Sequence, residues 1–354
     1  MKKNRGLYIH IPFCTNICSY CDFAKVFYNE EMVNQYLIKL EEELNSYSIS
    51  NISSIYIGGG TPSSLNEAQF ERLLALTSKY LNNDNSFAVE ANIENLTEEK
   101  IVLLSKYGVN RVSLGVQTFN DELLKELNRK HSKEDVIKVI NNLIKYNIKD
   151  INLDLIYALP NQTIDMLKED IDLITSLPIT HISTYSLMVN PNTMFAIKKV
   201  KEQDEDKVRE MYDLIYNSFK EKGFNRYEVS NFSKVGYESK HNLVYWRNEE
   251  YYGIGAGASG YLDNIRYDNT KSLTSYLKGK TRINEELLEE KDKEFYDIML
   301  GLRLKEGVEI SNPKYLSKIE DLLSRGLLER VNDKYKVTEN NLFILDYVLE
   351  KLLF

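Results

Sequence analysis

The three cysteines of the chain, Cys14, Cys18 and Cys21, all fall in the stretch CTNICSYCDF at residues 14–23. Three thiols this close have three uses to weigh. A disulfide scaffold fails on the odd count, on chain length and on a reducing compartment. A zinc site needs four ligands, which His10, Cys14, Cys18 and Cys21 would supply. Yet Cys-x3-Cys is an unusual zinc spacing, and strand alternation can turn His10 away. The third use is an iron–sulfur cluster. A cubane cluster ordinarily takes four thiolates. Three at Cys-x3-Cys-x2-Cys hold three irons from one short loop and leave the fourth to an outside ligand. An amino acid suits that iron, because its amine and carboxylate chelate. Tyr20 adds an aromatic just before the last cysteine.

Other polar residues stand where a ligand could meet them. Gly58, Gly59, Gly60, Thr61 and Pro62 end a strand-like run. Backbone without side chains lets a ligand approach, and its N–H groups can meet a chelate. No Gly-Lys-Ser/Thr follows, so this is no phosphate loop. Glu90 in FAVEAN, Gln117 in SLGVQTF and Asp154 in INLDLIYALP sit at or near strand ends. Asp154 lies between apolar residues, where a charge needs a partner or a ligand. Arg129 in LNRKHS suits bidentate binding of a carboxylate. Internal salt bridges and caps are the plainer use of the same residues. GAGASG at 255–260 spells the dinucleotide fingerprint, but an extended stretch follows it where that fingerprint needs a helix. A glycine loop at the barrel mouth is the expectation there. His241 lies in HNLVYW, near the only tryptophan, Trp246. A lone histidine is ordinarily structural; beside Tyr245 and Trp246, contact with a haem or porphyrin is the alternative. His131 and His181 have no expected metal role.

These residues need a frame. LYIHIPF, SSIYIGGG, FAVEAN, NRVSLGVQ, INLDLIYALP and ITHISTYSL read as strands, and amphipathic helical segments separate them. Thr97 opens one helix and Gly108 stops it; Ser132 opens another with a Ser-x-x-Asp cap. Six alternating units predict an α/β fold with a parallel sheet, an open or partial (β/α)6 barrel rather than a closed barrel of eight. The cysteine loop follows the first strand, on the edge where such sheets bind ligands. The expected divisions are 1–225 for the barrel, 226–282 for a barrel-closing segment and 283–354 for a small, mostly helical domain. In the last, LLSRGLLERVNDKYKVT reads as a helix, turn and β-wing.

With 354 residues, 43% of them hydrophobic, the chain can bury a large core. No apolar run is long enough to span a membrane. MKKNRGLYIHIPFC turns at once into a strand-like segment and lacks the features of a signal peptide, so the expected location is cytoplasmic. A net charge of −8 argues against a general nucleic-acid binder. The oligomeric state stays open, a homodimer included.

YIHIPFCTNICSYCDF, IGGGTPSSL, VEANIENLT, RVSLGVQTF, NLDLIYALPNQT, YEVSNF and HNLVYW together resemble the HemW group of radical S-adenosylmethionine (SAM) proteins. That group is related to the oxygen-independent coproporphyrinogen III oxidases. The resemblance runs almost end to end and includes LRLKEGV and LLSRGLLE. It implies a partial (β/α)6 radical SAM barrel with a winged-helix-like C-terminal domain. It implies a [4Fe–4S] cluster on Cys14, Cys18 and Cys21. Tyr8, Gly59, Gly60, Thr61, Glu90, Gln117, Arg129 and Asp154 would surround SAM. His241 would contact haem, since HNLVYW matches the group's His-Asn-x-x-Tyr-Trp motif. The implied function is haem chaperoning: binding haem and passing it to haem proteins such as membrane cytochromes, with no direct membrane insertion. The alternative is coproporphyrinogen III oxidation by a 5′-deoxyadenosyl radical. The oxidases carry a further cysteine where this chain has Phe23, and an N-terminal extension, whereas this chain begins almost at the motif. Two departures stand out. Ile93 replaces a frequent Pro near the SAM pocket. Ser259 stands where many relatives have His, which removes a second histidine from any bis-histidine haem site.

Overall fold

Alternation of residue type along each central strand organises the molecule. Six strands run parallel in chain order: β1 Arg5–Ile11, β2 Ile52–Gly59, β3 Ser86–Asn92, β4 Arg111–Gln117, β5 Asp150–Tyr157 and β6 His181–Ser186. Helices Glu30–Ser46, Glu67–Ser78, Glu98–Lys106, Lys133–Lys145 and Ile164–Ser176 span the five crossovers. The computed structural model describes residues 5–82 and 85–354. The first four residues of the basic N-terminus, part of the signal-peptide expectation, lie outside them.

On the outer face Leu7, Ile9, Ile55, Ile57, Phe87, Val89, Val112, Leu114, Ile151, Leu153 and Ile182 pack against the helices in one core. Each such side chain contributes about 2 kcal/mol by leaving water. The intervening residues Tyr8, Tyr56, Glu90, Ser113, Asn152, Asp154 and Ser183 face a cavity inside the curved sheet. Parallel strands buried on both faces are ordinarily apolar throughout; here the inner face is polar because it lines that cavity.

Helix starts follow the sequence signals. Thr97 accepts a hydrogen bond from the Lys100 N–H, and Ser132 and Asp135 form a full capping box. Each cap satisfies a backbone donor and contributes about 1 kcal/mol.

Residues 225–287 extend the sheet at both edges. β7 Asn225–Arg226 and β8 Asn231–Ser233 add antiparallel strands beside β6. β9 Tyr251–Ile254 pairs parallel with β1, and β10 Ser259–Leu262, β11 Ile265–Asn269 and β12 Arg282–Leu287 follow as antiparallel strands. The order is β12-β11-β10-β9-β1-β2-β3-β4-β5-β6-β8-β7, a sheet with two free ends. The stretch after GAGASG is extended, as expected, and the loop is fixed from outside: Gly255 N–H donates to Glu43 and Ala256 N–H to the Tyr36 hydroxyl.

The mostly helical C-terminal region expected from about 283 is present, and its first helix starts at Glu290, after a strand. Residues 283–287 belong to β12, where pairing with β11 overrides the helix-forming Glu and Leu content. Beyond it, helices Glu290–Gly301, Leu316–Ser324 and Leu345–Leu353 and the hairpin β13 Leu328–Val331 and β14 Lys334–Val337 surround a second core that includes Ile298, Ile319, Leu322 and Leu352.

Candidate functional site

Cys14 leaves β1 in a two-residue bridge, Phe13–Cys14 paired with Val26–Phe27, which closes the cysteine loop at its base. Ser19 N–H donates to the Leu127 carbonyl at 3.1 Å, and Tyr20 packs on the cluster of Leu123, Leu127 and Leu187. Cys14 is buried, Cys18 and Cys21 are half-buried, and all three are free thiols. Burial pushes the Cys14 thiol up to about 11, against the hydrogen bond with Thr61 that favours thiolate. Burial also raises Cys21, which Lys25 opposes.

A chain of contacts joins two of the thiols through the barrel rim. Cys14 Sγ lies 3.4 Å from Thr61 Oγ1, and Asn92 Nδ2 donates to that hydroxyl at 3.2 Å. Arg129 Nη1 donates to Asn92 Oδ1 at 2.8 Å and approaches Cys18 Sγ at 3.7 Å. The three cysteines, Gly59, Gly60, Thr61, Glu90, Gln117, Arg129 and Asp154 all line one small cavity of about 110 Å3. It adjoins the larger one, about 480 Å3, whose wall includes Tyr8, Gly59, Glu90, Gln117, Asp154 and His241. All expected site residues therefore border one connected pair of cavities.

Several do so in roles that differ from the sequence reading. The Gly59 N–H donates to Glu90 Oε2 at 3.0 Å, Gly60 N–H to the Ile11 carbonyl and Thr61 N–H to the Phe13 carbonyl. These donors are spent within the protein and do not await a chelate. The glycines serve close packing: at Gly59 φ is +110°, and a Cβ would lie 2.5 Å from the His10 ring. Arg129 is no open carboxylate clamp. It forms an ion pair with Glu94 at 3.2 Å and also bonds the Gly115 carbonyl. Burial works to raise Glu94, but His131 and Arg129 outweigh it and hold the carboxyl at about 2. The Tyr8 hydroxyl meets His10 Nδ1 at 2.9 Å.

The open end of the site lies elsewhere. Gln117 is buried, with 7% exposure, and sits at a register shift with φ of +73°. Its amide makes no hydrogen bond among the described residues, an arrangement that marks a ligand site more than a packed wall. The Arg129 Nε atom is likewise buried and without a partner. Burial raises Glu90 to about 7, with a hydrogen bond from Tyr56 at 2.7 Å opposing and the Asp154 charge adding. Burial raises Asp154 to about 6 against bonds from Asn152 and Ser113. Two carboxyls that pay to ionise inside one cavity suit a cationic ligand.

His10 contributes no metal ligand. Its Nε2 donates to the Ala24 carbonyl at 2.9 Å, so Nδ1 accepts from Tyr8, and both nitrogens are engaged within the protein. Among the described residues no three His, Cys, Asp or Glu side chains converge on a single ion. His241 stands on helix Lys240–Trp246 against the inner face of the sheet. Its ring stacks on Tyr56 with centroids 5.0 Å apart. Nδ1 bonds Ser54 and Nε2 bonds Tyr245, each at 2.8 Å. Burial lowers its pKa to about 3, so the ring is neutral. In this conformation neither nitrogen is free for iron.

The sequence reading missed Tyr56, Asn92 and Ser113. The signal was available: Tyr56 and Asn92 fall two residues from Gly58 and Glu90, and Ser113 four from Gln117, at strand-face spacing.

A curved parallel sheet with three thiols on the loop after its first strand defines a radical SAM protein, and residues 8–174 match the family model described as the radical SAM superfamily. Over nearly its whole length the chain is similar to two proteins named "Heme chaperone HemW". That of Lactococcus lactis is 44% identical and covers 94% of this chain and 91% of its own. That of Bacillus subtilis is 38% identical, with 92% of both chains covered. The chain belongs to the HemW family. Its fold also matches coproporphyrinogen III oxidase (HemN) from Escherichia coli, with a TM-score of 0.87 over 99% of this chain and 90% of that one, at 22% identity.

Proposed function

We propose that this chain is a haem chaperone that carries a [4Fe–4S] cluster and SAM, binds haem and passes it to haem proteins such as membrane cytochromes. The observation that carries the reading is the opening onto one cavity of three free thiols and a Gln117 side chain unbonded among the described residues, in a chain 44% identical to a protein of that name. Thiols that surround a cavity without converging on one ion suit a multinuclear cluster better than a zinc cage. When bound, such a cluster supplies one open iron for chelation by an amine and a carboxylate. The chain's own residues then hold SAM: Glu90 and Asp154 face its positive groups, and Gln117 offers an unused amide. Gly59, Gly60 and Thr61 shape the wall, Tyr8 lends its ring, and Arg129 fixes the cluster side through Asn92. Haem contact through His241 requires Tyr245 or Ser54 to release the ring first.

Among the described residues no helix is long and apolar enough to cross a membrane; we place the protein in the cytoplasm, reaching membrane cytochromes through its partner's surface. Residues 1–225 form the SAM barrel in this reading, 226–282 the haem-related segment and 283–354 the C-terminal domain.

The test uses the full chain with its cluster reconstituted anaerobically. Iron and sulfide content and SAM binding are measured first. Coproporphyrinogen III and a reductant are then supplied, and haem transfer to an apo-cytochrome is followed separately. Bound SAM and haem transfer, without multiple-turnover protoporphyrinogen, are expected. Steady multiple turnover would overturn the chaperone reading in favour of an oxidase.

A further inference from the structure

The larger cavity does not end at Phe23. That ring is 64% exposed, and beyond it a second concave surface of about 350 Å3 opens, lined by Tyr8, His10, Phe23, Tyr251, Ser259 and Lys271. Tyr8, Asp22, Phe23 and Tyr245 line both spaces, so the two are continuous around the Phe23 ring.

Lys271 is the cation of this cleft. Its ammonium makes no ion pair or hydrogen bond among the described residues. Other groups around it are already engaged. Asp22 accepts from the Asn190 amide at 2.8 Å, and the Ser259 hydroxyl donates to Asp268 at 2.6 Å. His10 has both ring nitrogens bound and is kept neutral by burial, to which the Lys271 charge adds. An exposed aromatic face therefore stands beside a lone cation with no acceptor. That pair matches a flat, apolar ligand that carries carboxylates at one edge.

We infer that this cleft binds the propionate carboxylates of haem through Lys271, with the macrocycle lying on Phe23. The inference rests on the haem reading above and gives it a place. The carboxylate edge of the cargo then lies against the cysteine loop and the GAGASG turn, in a cleft continuous with the cavity that His241 lines. An isolated surface lysine is ordinarily only solvated, so the test must separate recognition of a carboxylate from mere proximity.

Haem and haem dimethyl ester, which lacks the carboxylate charges, are titrated by visible absorbance into the full chain, into Lys271→Ala and into Lys271→Arg. Lys271→Ala is expected to weaken haem binding about fivefold, with Lys271→Arg close to wild type. Binding of the diester is expected to be equal in all three proteins. If Lys271→Ala binds haem as wild type does, or weakens haem and diester alike, the inference is overturned while the chaperone reading stands. If the wild-type chain binds neither porphyrin, the haem reading itself fails and the inference with it.

Discussion

The cysteine end of the cavity and its helix end are both buried and both polar, yet they spend their polar atoms differently. At the cysteine end the thiols form no disulfide and meet Thr61 and Arg129, and among the described residues the Gln117 side-chain amide makes no hydrogen bond and the buried Arg129 Nε has no partner. At the helix end His241 has both nitrogens bound, and deeper along the strands His181 meets Asn152 at 2.6 Å and Tyr227 at 2.9 Å. A buried polar group with partners is part of the scaffold, whereas one without them is a standing cost that a ligand can repay. The difference separates the residues that hold ligands from those that hold the wall.

The largest expected effect breaks the cysteine end alone. Replacing Cys14, Cys18 and Cys21 together by Ser takes reconstituted iron from about four per chain to near none. His241→Phe keeps its iron. Iron and sulfide analysis checks both. Loss of iron from the histidine variant would show the two ends to be one unit.

His241→Phe acts on stability instead. It leaves Ser54 and Tyr245 without their partner and costs about 3 kcal/mol above pH 7. The pH dependence has a definite sign. Folding lowers the His241 pKa from 6.5 to about 3, so the unfolded chain binds more protons between those values. Wild-type stability is complete above 6.5 and falls with acid by up to about 1.4 kcal/mol per pH unit. The phenylalanine variant lacks that loss, so the gap between the proteins narrows below pH 6.5. Denaturant midpoints at pH 7.5 and 5 measure it; a constant gap would mean that the imidazole is not held neutral.

Much of the fold was legible because alternation and caps are local. Leu7, Ile9 and Ile11 announce a strand with one apolar face, and Ser132 with Asp135 announces a helix start. β9 was not legible, since four residues ending in a glycine turn become a strand only through pairing with β1. β12 was not legible either, since it too becomes a strand only through pairing, here with β11. For the site, residue spacing picked out the cysteines, Glu90, Gln117 and Asp154, but not what each would already be bonded to. Arg129 looks like a free clamp until Glu94 is found beside it, and Gly59 looks like an open donor until Glu90 accepts its hydrogen bond. Those partners lie dozens of residues away in sequence, and only the sheet register brings them together.

Glu90 sharpens the comparison through its charge. Its carboxyl is raised from 4.5 to about 7 by burial. A raised carboxyl contributes stability that is complete below pH 4.5 and lost as pH climbs through 7. Glu90→Gln therefore removes a pH-dependent loss of about 3 kcal/mol between pH 4.5 and 8. Asp154, raised from 3.8 to about 6, keeps a smaller loss of the same sign in the variant. Urea unfolding at the two pH values decides; parallel losses in both proteins would mean that Glu90 ionises freely in its place.

The smallest effect on the protein is expected at Gln117, and it is the most discriminating. Gln117→Met keeps the volume and the same left-handed backbone but removes the amide. That amide bonds nothing in the protein, so unfolding free energy should move by less than about 0.5 kcal/mol. If the amide waits for SAM, the reconstituted variant should bind SAM about tenfold more weakly, which is the cost of one hydrogen bond to a charged ligand. Equilibrium dialysis against SAM reads this, with iron content held equal to wild type. Unchanged SAM affinity would place Gln117 with the wall residues. The lack of a partner would then reflect strain at φ of +73°, and the contrast between the two ends would rest on the cysteines and Arg129 alone.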